Sequence, residues 1–333
     1  MEKKISVLPL GELIAQYPIC QDFLNSYRLA DLDRTKPLPA SIAESKPESM
    51  EELGLSALDI VDLLVELITQ SDGAAMKSIK SIEIIGGTDK GGKPENIIIP
   101  IQIGEVVSIV GPTGSGKSQL LADIECAAKG DTPSGRVIRF DGKELPDEKR
   151  FSFGNRLVAQ LTQNMNFVID VSVEEFLRMH AQSRWTDEPS ELIERCFAAA
   201  NALSGEPFDK DTKVTRLSGG QSRALMIADA ACISPSPILL IDEIENAGID
   251  RINAINLLSG GEKIVLLATH DPLLALSAMK RITLCNGGIL SVLERSEKER
   301  KNLEQLIAMD RQQSQLRETM RRGERMEQNV ENV

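Results

Sequence analysis

The chain has 333 residues, 41% of them hydrophobic, and a formal net charge of −12. That length allows one large core plus a smaller unit, and the acidic balance repels a phosphate backbone, which argues against direct nucleic-acid binding. No apolar run reaches the ~18 residues that would give a membrane span, and the five cysteines include no C-x-x-C pair, so neither a zinc site nor a disulfide framework is indicated.

From the start, Met1-Glu2-Lys3-Lys4 leads into a stretch broken at Glu12, too short for a signal-peptide core, so a cytoplasmic protein is expected. Residues 1–70 read as a small helical domain. Leu10, Leu13, Ile14 and Tyr17 share one helical face, Pro18 ends or kinks that run, and Cys20, Phe23, Leu24 and Tyr27 repeat the spacing. A polar, proline-bearing stretch follows from Asp31 to Met50. Ser56 and Asp59 then form a capping-box-like start to a helix with Ile60, Leu63, Leu64 and Leu67 on its apolar face. The Leu-Gly-Glu-Leu-Ile-x-x-Tyr-Pro opening (Leu10 to Pro18) and this closing helix resemble the small N-terminal domain of di-iron proteins of iron–sulfur-cluster repair. Cysteines common in those relatives are missing after Tyr27, so a protein-docking role is expected rather than metal or redox work. Residues 71–77 read as a linker.

From 78 to 293 strand-like and helix-like segments alternate, the α/β pattern. Ile82 to Ile85 and Ile97 to Ile99 are short β-branched runs. Val106 to Val110 is a buried-strand run entering Gly111-Pro112-Thr113-Gly114-Ser115-Gly116-Lys117-Ser118, which fits G-x-x-x-x-G-K-S, and a helix can open at Gln119. Strand before and helix after is the context a phosphate-binding P-loop needs. Bare backbone N–H groups can turn inward around phosphate oxygens at a positive helix end, Lys117 is expected to bridge the β- and γ-phosphates, and Ser118 is expected to bind Mg²⁺. Ile238 to Ile241 is a second buried strand. It ends in Asp242, on the metal side of the phosphates, and Glu243, placed to orient or deprotonate the attacking water. Ile264 to Ala268 is a third. From 294 to 333 the chain is charged, with Leu303, Leu306 and Ile307 as a short apolar stripe, and reads as a long solvated helix and tail.

Leu217-Ser218-Gly219-Gly220-Gln221, lying between the P-loop and the acidic strand, identifies residues 78–293 as resembling the ATP-binding cassette (ABC) ATPases. The resemblance implies a RecA-like P-loop core with an antiparallel β subdomain and a helical signature subdomain at about 165–235. The small all-α N-terminal domain and the C-terminal helix lie outside it. It also implies ATP and Mg²⁺ as ligands, held between the P-loop of one cassette and Ser218, Gly219, Gly220 and Gln221 of a second copy or paired subunit. Gln163 matches the glutamine loop that contacts the metal, with Gln160 a nearby competitor. Asp250 matches the loop that touches the other protomer, and His270 matches the switch histidine that holds Glu243. Ser259-Gly260-Gly261 lacks the flanking Leu and Gln and reads as a turn, and His180 has no comparable setting.

The sequence departs from the family in three places. Lys77 to Glu105 contains no Phe, Tyr, Trp or His to stack on adenine; Asn246-Ala247-Gly248-Ile249 replaces a serine-alanine-leucine stretch; and Ser222-Arg223-Ala224 follows the signature. Three uses of the cassette are in play. It is expected to serve as the ATP-binding subunit of a transporter, docked on a membrane permease at the inner face of the cell membrane. The alternatives are a soluble ATPase remodelling a client protein and a non-hydrolysing clamp, the last opposed by the presence of both Glu243 and His270.

Overall fold

The computed structural model describes residues 7–17, 19–27, 29, 31–45, 56–71, 79–150, 157–162, 167–182, 189–243, 249–260 and 262–325. The chain divides into two compact units, the described residues before Ile79 belonging to the first and those from Ile79 on to the second.

In the first unit, helices α1 (Leu10–Gln16), α2 (Ile19–Ser26), α3 (Leu38–Ser45) and α4 (Ala57–Ser71) surround one core. Leu10, Leu13, Cys20, Leu24, Leu38, Ile42, Ile60 and Leu64 are buried in it, so the helical spacing read in the sequence becomes the packing face. Helix α3 lies inside the stretch read as polar and proline-bearing. Its Pro39 sits in the first turn, where no intrahelical N–H is needed, and Leu38 and Ile42 supply the i, i+4 buried pair. The capping box forms: Asp59 N donates to Ser56 Oγ at 3.2 Å and Ser56 N to Asp59 Oδ2 at 2.6 Å.

The second unit is built on two sheets. Strands β1 (Ser81–Ile85), β2 (Ile98–Gln102) and β4 (Val137–Phe140) form an antiparallel sheet in the order β2-β1-β4. The larger sheet contains β3 (Val106–Val110), β5 (Val158–Leu161), β6 (Ile238–Asp242), β7 (Ile264–Ala268), β8 (Lys280–Cys285) and β9 (Gly288–Glu294) in the order β5-β6-β7-β3-β8-β9. Its pairs are parallel except the terminal β8–β9 hairpin.

Every residue of β7 is buried, and alternate side chains enter different cores. Ile264, Leu266 and Ala268 pack with Leu120, Leu121 and Ile124 of α5 (Lys117–Glu125). Val265 and Leu267 pack on the other face with Ala224 and Ile227 of α8 (Gly219–Cys232), Ala254 and Leu258 of α9 (Arg251–Ser259), and Leu273 and Leu274 of α10 (Pro272–Ser277). Burial on both faces explains the unbroken apolar runs of β6 and β7, which show no strand alternation. Helices α6 (Val173–Gln182), α7 (Pro189–Leu203) and α8 form a lobe with its own core, including Phe176, Cys196, Ala200 and Leu225. Helix α11 (Glu297–Arg321) lays Leu303, Leu306 and Ile307 against the second sheet face, while much of its remaining surface is exposed. No helix among the described residues is long and apolar enough to cross a membrane.

Candidate active site

Register brings the candidate site residues to one edge. Asp242 of β6 pairs with Ala268 of β7, and Ala268 pairs with Ile109 of β3, so these positions form a row near the C-terminal ends of three parallel strands. Just beyond the row come Glu243, His270 and the Gly111 loop. Glu243 N donates to Ala268 O at 3.0 Å and Thr269 N donates to Ile109 O at 3.1 Å, which continues the ladder into the loops. Ligands of open parallel sheets bind at this edge.

The loop after β3 has the shape its glycines require. Gly111, Gly114 and Gly116 take φ of 156°, 78° and 102°, and helix α5 starts directly after Gly116. At Gly111 a Cβ would lie 2.5 Å from Leu284 O and 2.6 Å from Ser115 Oγ, so no other residue fits there. Lys117 Nζ donates back to Gly111 O at 2.9 Å. The buried Ser115 Oγ has no hydrogen-bond partner among the described residues. An unsatisfied buried hydroxyl costs about 1–3 kcal/mol, and a phosphate oxygen is a partner that would satisfy it. Pro112 and Thr113 are exposed on the loop, Ser118 is exposed in the first turn of α5, and Gln119 Nε2 reaches Asp123 Oδ1 at 2.9 Å, turned along the helix. That contact ties Gln119 to a structural network.

The network is centred on Arg136, whose side chain is fully buried. Its Nε and Nη2 donate to Glu95 at 2.9 and 2.7 Å, its Nη1 to Asp123 at 3.2 Å, and its Nη2 also to Gly287 O at 2.7 Å. Burial pushes the Glu95 carboxyl upward. The Arg136 hydrogen bonds and the Gly87 and Ile289 amides outweigh burial and hold it below its ordinary value. One guanidinium therefore joins the antiparallel sheet, the P-loop helix and the β8–β9 turn. The sequence reading did not single it out. A signal was present: Asp123 interrupts the Leu120, Leu121, Ile124 buried face of α5 and must be paired there.

Asp242 and Glu243 are half-buried, and Glu243 has φ of 52°. Such a conformation is rare for a side-chain-bearing residue and recurs at functional sites. His270 is exposed. The next residue, Asp271, caps α10 by accepting from Leu273 N at 2.8 Å and Leu274 N at 3.2 Å. Asp271 also pairs with Arg251, which pairs in turn with Asp310 of α11. Asp250 is exposed and caps α9 through Asn253 N at 3.0 Å.

The Ser218 to Gln221 segment starts α8 as a reciprocal capping box, with Ser218 N donating to Gln221 Oε1 at 2.9 Å and Gln221 N to Ser218 Oγ at 3.3 Å. Gln221 Nε2 also donates to Glu206 O at 3.3 Å and Pro207 O at 3.5 Å, shortly after α7. Gly219 is exposed and Gly220 half-buried. The other Ser-Gly-Gly is helix end: Ser259 closes α9 and Gly260 is its C-cap, with Gly261 outside the described residues. His180 is structural, its Nδ1 lying 3.0 Å from Asp229, which joins α6 to α8. Gln163 and Asn246 to Gly248 lie outside the described residues; β5 ends at Leu161, level with Ile241.

Ser118 and Asp242 offer a hydroxyl and a carboxylate, an oxygen set that suits Mg²⁺, which binds through one or two carboxylates, water and substrate phosphates.

Comparison with known proteins gives the family. The family model described as ABC transporter matches residues 95–246. A Methanocaldococcus jannaschii protein, named as the uncharacterized ABC transporter ATP-binding protein MJ0121, is 51% identical over 249 residues, covering 74% of this chain and 95% of the relative. The macrolide export ATP-binding/permease protein MacB of Campylobacter jejuni is 30% identical over 217 residues, 62% of this chain but 33% of that longer protein. Among solved structures, a dimeric post-hydrolysis state of the ATP-binding cassette MJ0796 bound to ADP and Pi matches with a TM-score of 0.50 at 25% identity, over 65% of this chain and 99% of that one. The α/β fold, the P-loop at the strand edge and these likenesses agree: the chain belongs to the ABC transporter ATP-binding family, and its activity is ATP hydrolysis.

Proposed function

We propose that this protein is the Mg-dependent ATP-binding subunit of a transporter, hydrolysing ATP in a site shared by two cassettes. The observation that carries the reading is the row of Ile109, Ala268 and Asp242, which brings the P-loop, His270 and Glu243 to one edge of one sheet. The amides of residues 111–118 bind the polyphosphate at the α5 N-terminus, and Lys117 leaves Gly111 O for the β- and γ-phosphates. Bound Mg²⁺ offsets phosphate charge, with Ser118, Asp242 and Gln163 as its protein ligands. Glu243 orients the attacking water and His270 holds Glu243 and the γ-phosphate. Ser218, Gly219, Gly220 and Gln221 of a second cassette seal the pocket at the α8 N-terminus, and Asp250 faces the same interface. Catalysis is positioning and electrostatics.

MacB, whose name joins an ATP-binding and a permease part, supports the transporter role and a membrane permease as partner. A second reading, an ATPase that remodels a client protein, takes residues 1–70 as a partner-docking module and is supported by the first unit having a core of its own.

The test is Glu243→Gln. The variant is expected to bind Mg-ATP, run as a dimer in ATP by light scattering, and release no phosphate. Phosphate release at the wild-type rate removes Glu243 from its role. Fractionation then separates the two uses: recovery with membranes through an integral partner supports transport, and capture of a soluble partner lost on removing residues 1–70 supports remodelling.

A further inference from the structure

Residues 88–94 form a tight loop between β1 and β2, closed by a bridge between Thr88 and Pro94. Asp89 shapes it from within, its carboxylate accepting from the Gly91 and Lys93 amides at 2.8 and 2.9 Å. The next residue, Lys90, is anchored by its own amide, which donates to Asn286 O at 3.0 Å in the β8–β9 turn. Gly287 lies under the lysine stem: a Cβ there would come 2.8 Å from Lys90 Cγ. Gly287 N also donates to Ser115 O at 2.9 Å, so its turn rests directly on the P-loop. Three backbone layers are stacked, the P-loop, the Asn286 to Gly288 turn and the Lys90 loop.

The stack delivers the exposed Lys90 side chain to the rim of the P-loop, where Nζ donates to Gly114 O at 2.8 Å. Lys117 rests on the same loop through Gly111 O. Two ammonium groups are thus held by carbonyls of one phosphate-binding segment, and among the described residues no ion pair ties Lys90 to a carboxylate. An ionised phosphate oxygen is a stronger partner for an ammonium than a neutral carbonyl. We infer that Lys90 is a second polyphosphate-binding lysine, leaving Gly114 O for the phosphates of a nucleotide held on residues 111–118.

The inference rests on the nucleotide-site reading above and goes further. The β1–β2 loop supplies charge in a region, Lys77 to Glu105, that holds no aromatic ring to read a base. Affinity then comes from the polyphosphate, and the site accepts nucleoside triphosphates with little preference between adenine and guanine.

Equilibrium binding of Mg-ATP, Mg-GTP and Mg-ADP to the full chain tests this, using wild type, Lys90→Met, Lys90→Arg and Lys117→Ala. Wild type is expected to bind ATP and GTP within about threefold of each other. Lys90→Met is expected to weaken both triphosphates by about tenfold, the size of one lost charge-assisted contact, and ADP by less, with Lys90→Arg restoring most of the loss. Unchanged triphosphate affinity in Lys90→Met overturns the inference, as does a loss confined to ATP, which would make Lys90 a reader of the base. Lys117→Ala separates the two levels. If it binds nucleotide as wild type does, the nucleotide site itself is misplaced; if it loses binding while Lys90→Met does not, only the role of Lys90 fails.

Discussion

The Arg136 guanidinium meets the Asp123 carboxylate at 3.2 Å with neither side chain exposed to solvent, and Glu95 closes the cluster from the other side at 2.7 Å. Two carboxylates for one cation leave a buried net negative charge if Arg136 is lost. Breaking a buried pair by removing one partner costs about 3–5 kcal/mol, so Arg136→Met is expected to destabilise the cassette by that order in urea unfolding. Glu95→Gln is milder and carries a pH signature. The Glu95 carboxyl is depressed below its ordinary 4.5 in the folded state, so its stabilisation is present above that value and is lost as pH falls through the folded one. The stability gap between wild type and Glu95→Gln is therefore expected to be full near pH 7 and to close as pH falls below the ordinary carboxyl value, measured by denaturant titration. A gap independent of pH would contradict the assignment.

Glu243 sits at φ 52°, where a Cβ is strained and glycine is not. Glu243→Gly is expected to stabilise the fold by about 1 kcal/mol while abolishing phosphate release. Glu243→Gln keeps the strain and is expected to leave stability within about 0.5 kcal/mol of wild type. Paired denaturation and turnover assays decide the point: a destabilised glycine variant would mean the strain is absent.

Ser218 has a structural task that any test of catalysis must subtract. It caps α8 reciprocally with Gln221, and removing a serine cap costs about 1 kcal/mol. Ser218→Ala is expected to lose about that much stability and to lose turnover more than tenfold, far beyond the fraction unfolded. Turnover falling only with the folded fraction would leave Ser218 as a cap alone.

These residues also mark what the sequence could and could not show. The P-loop is a contiguous pattern, and β6 and β7 are runs buried on both faces, so local reading suffices for them. The Arg136–Glu95 pair spans 41 positions and the Lys90–Gly114 contact 24, and no local period encodes which loops the sheet order stacks together. Helix α3 was hidden by its length and by Pro39, and the φ of Glu243 has no compositional signal at all. The edge that carries the P-loop and the Asp242 strand end is legible because contiguous strand ends carry it. The supports behind that edge are not, because they join segments far apart in the chain.

Arg251 at the start of α9 is shared between Asp271, next to His270, and Asp310 of α11. The C-terminal helix thereby braces the segment that follows His270. Asp310→Asn removes that brace and leaves the P-loop untouched. It is expected to lower kcat for ATP by about threefold with KM unchanged, the pattern of an interaction felt only in the transition state. A raised KM with unchanged kcat would place the effect on nucleotide binding and contradict the link through Asp271.

The two compact units can be followed through their own thiols. Cys20 is buried in the first unit, and burial pushes its thiol up to about 11, so almost no thiolate forms at neutral pH. Cys196 is buried in the helical lobe of the second unit, while Cys285 is exposed. An aromatic disulfide reagent at neutral pH is expected to modify Cys285 in the native protein and to spare Cys20 and Cys196. Along a urea titration the small first unit, with less surface buried per residue, is expected to open first, so Cys20 becomes reactive at lower urea than Cys196. Peptide mapping of the labelled protein reads both midpoints. Coincident midpoints would show the chain unfolding as one cooperative body, and residues 1–70 would then lose their standing as a separate module.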